Sequence, residues 1–236
     1  MNWILFEWKL IVRNKRLRQI FIVTGLFLPL LVYMQLADQL QLAKSWLKGI
    51  FLFKEFLFWA VFTVPATNYA VLAFSMDATF IEKLVITRES IFQLLQAKYR
   101  LYSIISIVLF ILFLPSMLWG IKFIELIAAL LFSIGFVSFG LFWSSLVSYK
   151  PFDIKASYFY NFQGFDASNY FFPILVLIVA SGFIAFFYWL FNETITLIAM
   201  SIIGIIFIVT NKIWLGKISK SFERTKYRRL ERFREI

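Results

Sequence analysis

Cysteine and histidine are both absent from the 236 residues. Their absence excludes disulfide frameworks, Cys/His zinc sites, haem ligation through His and every catalytic triad built on a thiol or an imidazole. Charge is scarce too: 16% of residues are charged, against about 25% in an average soluble domain. No Gly-x-x-x-x-Gly-Lys-Ser/Thr segment occurs, so the chain has no phosphate-binding loop with which to hydrolyse ATP. No metal, cofactor or catalytic residue is implied.

Apolar residues fill the space that charge leaves. Hydrophobic residues make up 61% of the chain and aromatic ones 21%, with 31 Phe, 10 Tyr and 8 Trp. A bilayer core of about 30 Å needs about 20 apolar residues in helical form. Six runs meet that length: residues 20–37, about 56–76, about 101–119, from 121 or 123 to 147, 171–191, and 194 to about 210. Gly120-Ile121-Lys122 and Asn192-Glu193 are very short connections, so spans three and four, and spans five and six, should each form an antiparallel helical hairpin. The expected fold is all-α and polytopic, with an interfacial helix over 1–19, a six-span domain over 20–210 and a basic cytoplasmic tail helix over 211–236.

Ionisable groups inside the spans are rare. Lys54, Glu55, Lys122 and Glu125 fall at the outer ends, and the interior offers Gln35, Asn68, a few Ser and Thr, and the helix-bending Pro29, Pro65, Pro115 and Pro173. Buried charges in a membrane are costly and are kept where they work, so their scarcity disfavours proton- or sodium-coupled transport. No carboxylates are paired at i, i+3 or i+4 at a span end, which weighs against a membrane-embedded lipid enzyme.

The net charge of +11 has a one-sided distribution. With six spans, 20 of the 24 Lys and Arg fall on one side: the N-terminal segment, the loop after span two, the loop after span four and the tail. Lys44, Lys48, Lys54 and Lys122 make up the other side. The positive-inside rule therefore places both termini in the cytoplasm, in a bacterial-type inner membrane crossed several times. The same count argues for membrane lipid over nucleic acid as the partner of the basic tail.

Three segments outside the spans have a pattern of their own. In the first 19 residues, Asn2, Lys9, Arg13 and Arg16 fall on one helical stripe and Trp3, Phe6 and Leu10 on the rest, as in a helix lying flat at the headgroup level. Trp3, Trp8, Lys9, Arg13 and Arg16 are its candidate anchors. Between spans two and three, apolar residues at 80, 81, 84 and 85 and again at 91, 92, 94 and 95 read as two short amphipathic helices, the second capped by Thr87 or Ser90. Their polar face carries Glu82, Lys83, Arg88 and Glu89. The loop after span four is aromatic, with turn chemistry at residues 161–164.

This order of parts resembles the transmembrane subunit of an ATP-binding-cassette exporter of the ABC-2 permease type. Phe6-Glu-Trp-Lys-Leu-Ile-Val-Arg-Asn-Lys-Arg16 is similar to the connecting helix that opens such permeases. Phe80-Ile-Glu-Lys-Leu-Val-Ile-Thr-Arg-Glu-Ser-Ile, followed by Leu94-Leu-Gln-Ala-Lys-Tyr99, is similar to their coupling-helix region, with Arg88 where many relatives have Pro. Asn161-Phe-Gln-Gly164 and the closing Lys-Tyr-Arg-Arg-Leu-Glu-Arg-Phe-Arg resemble the C-terminal half of a longer bacterial permease family. The resemblance implies a coupling segment over 78–96 in which Glu82, Lys83, Arg88 and Glu89 meet a separate ATPase subunit. It also implies a second permease subunit, in a homo- or heterodimer that forms the export path. Ser133, Gly135, Ser138 and Gly140 on span four and Ser201 and Gly204 on span six could let helices approach closely, between two subunits or within one. The alternative from another class is a non-transporting scaffold subunit of a larger membrane complex.

The charge distribution makes a direct prediction. Reporter fusions at residues 1 and 236 should report cytoplasm and a fusion within residues 38–50 the opposite side; termini reporting outside would overturn the topology.

Overall fold

The computed structural model describes residues 3–13, 18–19, 62–63, 67, 69–71, 73–74, 91–119, 121–147 and 167–234, with 119, 167–170 and 227–234 described in backbone only. Among the described residues the chain is helical, with no strand. Helix α1 is Trp3–Arg13 and α2 is Ile91–Phe113. Leu114–Trp119 then tightens into a 3-10 turn holding Pro115, whose missing N–H cannot continue the α-helical ladder. Helix α3, Phe123–Phe132, runs through a π-helical turn, Ser133–Val137, into α4, Ser138–Ser144. Helices α5, Ala167–Leu190, α6, Glu193–Val209, and α7, Asn211–Arg234, complete the order.

Three segments are long and apolar enough to cross a membrane: Ile91–Leu118, Phe123–Ser144 and Phe171–Leu190. They coincide with the third, fourth and fifth expected spans. Helix α6, at 17 residues, reaches that length only together with α7, from which it is bent by 60°. The first expected span lies outside the described residues. Of the second, Phe62, Thr63, Thr67 and residues 69–71 are helical.

One boundary differs from the sequence reading. The third span begins at Ile91, not near Leu101, so residues 91–98 are the first turns of α2 rather than a separate amphipathic helix. Lys98 and Arg100 interrupt the apolar run but not the helix, because no Gly or Pro stands between Gln96 and Leu101. At about 1.5 Å per residue the 28 residues of Ile91–Leu118 measure about 42 Å, longer than a hydrocarbon core of about 30 Å. The excess leaves the Lys98 end at the level where such a core would begin.

The hairpin turns match expectation. Asn192 adopts an extended backbone before α6 and its side chain accepts a hydrogen bond from the Ile195 N–H at 2.9 Å, an N-cap that starts the return helix at once. Lys122 and Glu193, one from each turn, stand 3.3 Å apart, placing both turns at one end of the bundle. This pair is largely solvent-exposed and contributes little to stability.

Helix α6 packs most extensively against α3 and the π turn, and this seam forms the centre of the fold. Its rings interlock: Phe132 stacks on Phe136 at 5.1 Å and on Phe183 of α5 at 5.7 Å, while Phe207 of α6 meets Phe136 at 5.5 Å and Phe139 at 4.9 Å. The small residues work within this one chain. A Cβ on Gly135 would stand 2.8 Å from the Gly204 Cα, and a Cβ on Gly204 would stand 2.8 Å from the Phe132 nitrogen. Backbone therefore meets backbone where the helices cross. Gly140 likewise leaves room for Val176 of α5.

The outward faces of α5 and α6 carry large apolar side chains, with Ile178 61%, Trp189 80% and Val209 74% exposed. A contiguous apolar exterior over long helices is compatible with insertion in a membrane.

Close approach at Gly135 and Gly204 is testable by overpacking. Gly135→Val or Gly204→Val should lower stability by about 1–3 kcal/mol or more, read as a drop in thermal unfolding midpoint in detergent. Gly182→Ala on α5, where a Cβ meets nothing within 4 Å, should be neutral or slightly stabilising.

Candidate functional site

The residues expected to meet an ATPase, Glu82, Lys83, Arg88 and Glu89, lie outside the described residues, as does Arg16. Of the segment 78–96, residues 91–96 are the start of α2, with Ile91, Leu94 and Leu95 buried. The remaining anchors fall on α1. Trp3 is half-buried with its ring edge-on to Phe6 at 6.0 Å, whereas Trp8, Lys9 and Arg13 are exposed. Leu5, Trp8 and Val12 form an outward apolar strip beside the two cations, and Glu7, Leu10 and Ile11 turn inward. The two-faced helix is therefore present, and its inner face carries a charge.

That charge is the centre of the site. Lys98 Nζ donates to Glu7 Oε2 at 2.8 Å, and both side chains are fully buried. The Tyr69 hydroxyl donates to the same oxygen at 2.8 Å, and the Lys98 ammonium lies 5.1 Å from the centroid of the Tyr69 ring. Among the described residues no donor reaches Glu7 Oε1, so the carboxylate is held from one side. Three segments converge here: α1, the helical stretch around residue 70, and α2. Removing Lys98 would leave the buried Glu7 carboxylate without its ammonium, and removing Glu7 would take the carboxylate away from a fully buried ammonium; either costs far more than the intact pair contributes.

Deeper in the bundle a second cluster is made of hydroxyls alone. Thr63 Oγ1 and Ser133 Oγ share a hydrogen bond of 2.7 Å, and the Tyr102 hydroxyl stands 3.4 Å from Ser133 Oγ. Ser106 Oγ donates to the Phe62 carbonyl at 3.1 Å. Ser133 opens the π turn, and Ser138, just beyond it, donates to the carbonyls of Ile134 and Gly135. The wide turn misaligns backbone groups, and neighbouring hydroxyls take them up. Glu125 stands in the first turn of α3, at the span end where the sequence places it, and is fully buried there. Among the described residues no three Asp or Glu side chains gather as a metal site would need.

Residues 2–236 match a family described as one of unknown function, DUF5687. The chain belongs to this family. No curated protein and no solved structure matches the DUF5687 chain. The buried pair is therefore interpreted from its own geometry.

Sequence pattern alone does not single out Glu7 and places Lys98 among the loop charges. A signal was present, since Glu7 is the sole acidic residue in the first 37, and it falls on the face of α1 away from Lys9 and Arg13. A lone acid on the apolar side of a basic helix needs a cationic partner. What the sequence leaves open is which one, because Lys98 lies 91 positions away.

Single substitution should separate this pair from a surface contact. Lys98→Met or Glu7→Leu alone should destabilise the protein by about 3–5 kcal/mol, while the double variant should recover most of that loss. A thermal or denaturant series on the two single variants and the double one measures the coupling; additive effects would show that the two charges act independently.

Proposed function

We propose that this DUF5687 chain is the membrane-spanning permease subunit of an ABC-type exporter, driven by a separate ATPase and dimerising to form the translocation path. The observation that carries the reading is the joint between α1 and α2. Residues 91–96, the end of the segment resembling a coupling region, are the first turns of α2, and the Glu7–Lys98–Tyr69 cluster ties that helix to α1. When the ATPase closes on ATP it displaces the 78–96 segment. The buried pair makes α1 and α2 follow as one body, so the movement reaches the spans as a rigid shift and not as local fraying. Glu82, Lys83, Arg88 and Glu89 form the contact with the ATPase.

In this reading the chain crosses a bacterial inner membrane six times with both termini cytoplasmic. Helix α1 lies in the headgroup layer, its Leu5, Trp8 and Val12 strip in the apolar boundary and Lys9, Arg13 and Arg16 among phosphates. The interior supports a path between subunits better than one through a single chain. Among the described residues its inner cluster is a set of hydroxyls bonded to one another and to the Phe62 carbonyl, with no continuous polar lining. The chain itself is not an enzyme; hydrolysis belongs to the partner.

Co-expression with an ATP-binding-cassette ATPase tests the reading. The purified chain alone should hydrolyse no ATP and run as a dimer or half of a heterodimer by mass measurement in mild detergent, and the ATPase should co-purify with it. Reversing Lys83 and Arg88 to Glu together should abolish stimulation of the ATPase while leaving the chain inserted and folded, since exposed loop charges contribute little to stability. A strictly monomeric chain that never recruits an ATPase would overturn the exporter reading in favour of the scaffold.

A further inference from the structure

Helix α7 has two faces, and the structure accounts for only one of them. Trp214, Leu215, Ile218 and Phe222 are buried against the bundle. Phe222 stacks on Phe74 at 4.2 Å, and Trp214 meets Tyr99 at 5.3 Å and Phe139 at 5.6 Å. At 100° per residue, Lys217, Lys220 and Arg224 fall within an arc of about 60° on the side away from those rings. All three are exposed. Glu223 is the single acid exposed on this stretch, about 60° to one side of Lys220.

We propose that the Lys217–Lys220–Arg224 stripe is a docking surface for the phosphates of anionic lipids in the leaflet next to the end of α6. An ordinary basic amphipathic helix binds a bilayer with its apolar face, but here that face is already occupied by the protein. Beyond Ile213, which is exposed at the start of α7, the side chains left for the outside over residues 214–224 are the three cations and Glu223, so the contact along the stripe is electrostatic and not insertive. Position favours lipid over a soluble acidic partner. The stripe begins within two turns of α7's start, and α7 leaves α6 at a bend of 60°, which carries it sideways beside the span end instead of straight away from it. The bend is built in: Thr210, Asn211 and Trp214 donate from their side chains to the carbonyls of Ile206, Ile208 and Phe207. The inference rests on the membrane placement proposed above and is independent of any ATPase.

The absence of cysteine makes the test direct. Glu223→Cys, labelled with a fluorophore, is placed as the full chain in lipid nanodiscs containing graded fractions of phosphatidylglycerol bearing a headgroup quencher, with labelled phosphatidylcholine as the control. Quenching should saturate at a low phosphatidylglycerol fraction and be lost near about 0.5 M salt, where screening acts within about 4 Å. Replacing Lys217, Lys220 and Arg224 by Gln should raise the half-saturating fraction about ten-fold or more, each cation being worth roughly five-fold at an anionic surface. The salt arm is read on the chain with its stripe intact, so the test does not depend on the triple variant folding. Equal quenching by both lipids, or a triple variant that behaves like the parent, overturns the proposal while leaving the membrane reading in place. A stripe that ignores phosphatidylglycerol but binds polyglutamate or RNA overturns it in favour of a soluble acidic partner. A chain that does not enter nanodiscs at all overturns both.

Discussion

An ammonium group sealed from water cannot be left alone, and in this protein that requirement organises one end of the bundle. Lys98 is fully buried, so its charge must be met by a carboxylate within hydrogen-bond distance. Glu7 meets it, and Tyr69 adds both a hydroxyl to the carboxylate and a ring face to the ammonium. A helical slip of one residue would rotate Glu7 by about 100° and take it out of reach. The pair thereby fixes how α1 lies on α2, which apolar packing of Leu10 and Ile11 alone would leave less sharply defined.

The same rule governs neutral polar groups elsewhere. The π turn loosens the backbone ladder, and Ser138 closes two of the affected carbonyls. At the bend after α6 the side chains of Thr210, Asn211 and Trp214 donate to the carbonyls of Ile206, Ile208 and Phe207. Kinks in these helices thus stand where a donor is in place to serve them. At the π turn itself, the approach of Gly135 to Gly204 brings two backbones together, and the phenylalanine ladder fills the space on either side. Functional movement, if driven from the α2 end as proposed, would travel through the Glu7–Lys98–Tyr69 cluster and the hydroxyl cluster around Ser133.

Legibility followed the range of the interaction. The hairpin connections at residues 120–122 and 192–193 were readable because a turn is a local event, and Asn192 is a residue type that caps a helix by itself. The start of α2 was misplaced because a hydropathy window treats Lys98 and Arg100 as boundaries, whereas a helix is ended by Gly, Pro or lost hydrogen bonds. Gly135 and Gly204 were recognisable as contact residues, but the choice between a neighbouring subunit and the same chain was not, since the spacing of small residues is the same in both cases. Glu125 does stand at the end of its span, but its burial there depends on the surrounding helices and is not visible in the sequence.

The sequence by itself determined that the chain is helical, apolar and segmented into long hydrophobic runs with a basic tail, because run length, turn residues and charge distribution act over fewer than about 30 residues. Helix packing alone decides which face of α7 is occupied, where α2 begins, and that Glu7, Tyr69 and Lys98 meet. Those outcomes depend on which surfaces are brought together across 62 and 91 positions of chain. A buried charge has no local preference that names its partner; only the packing of whole helices selects it.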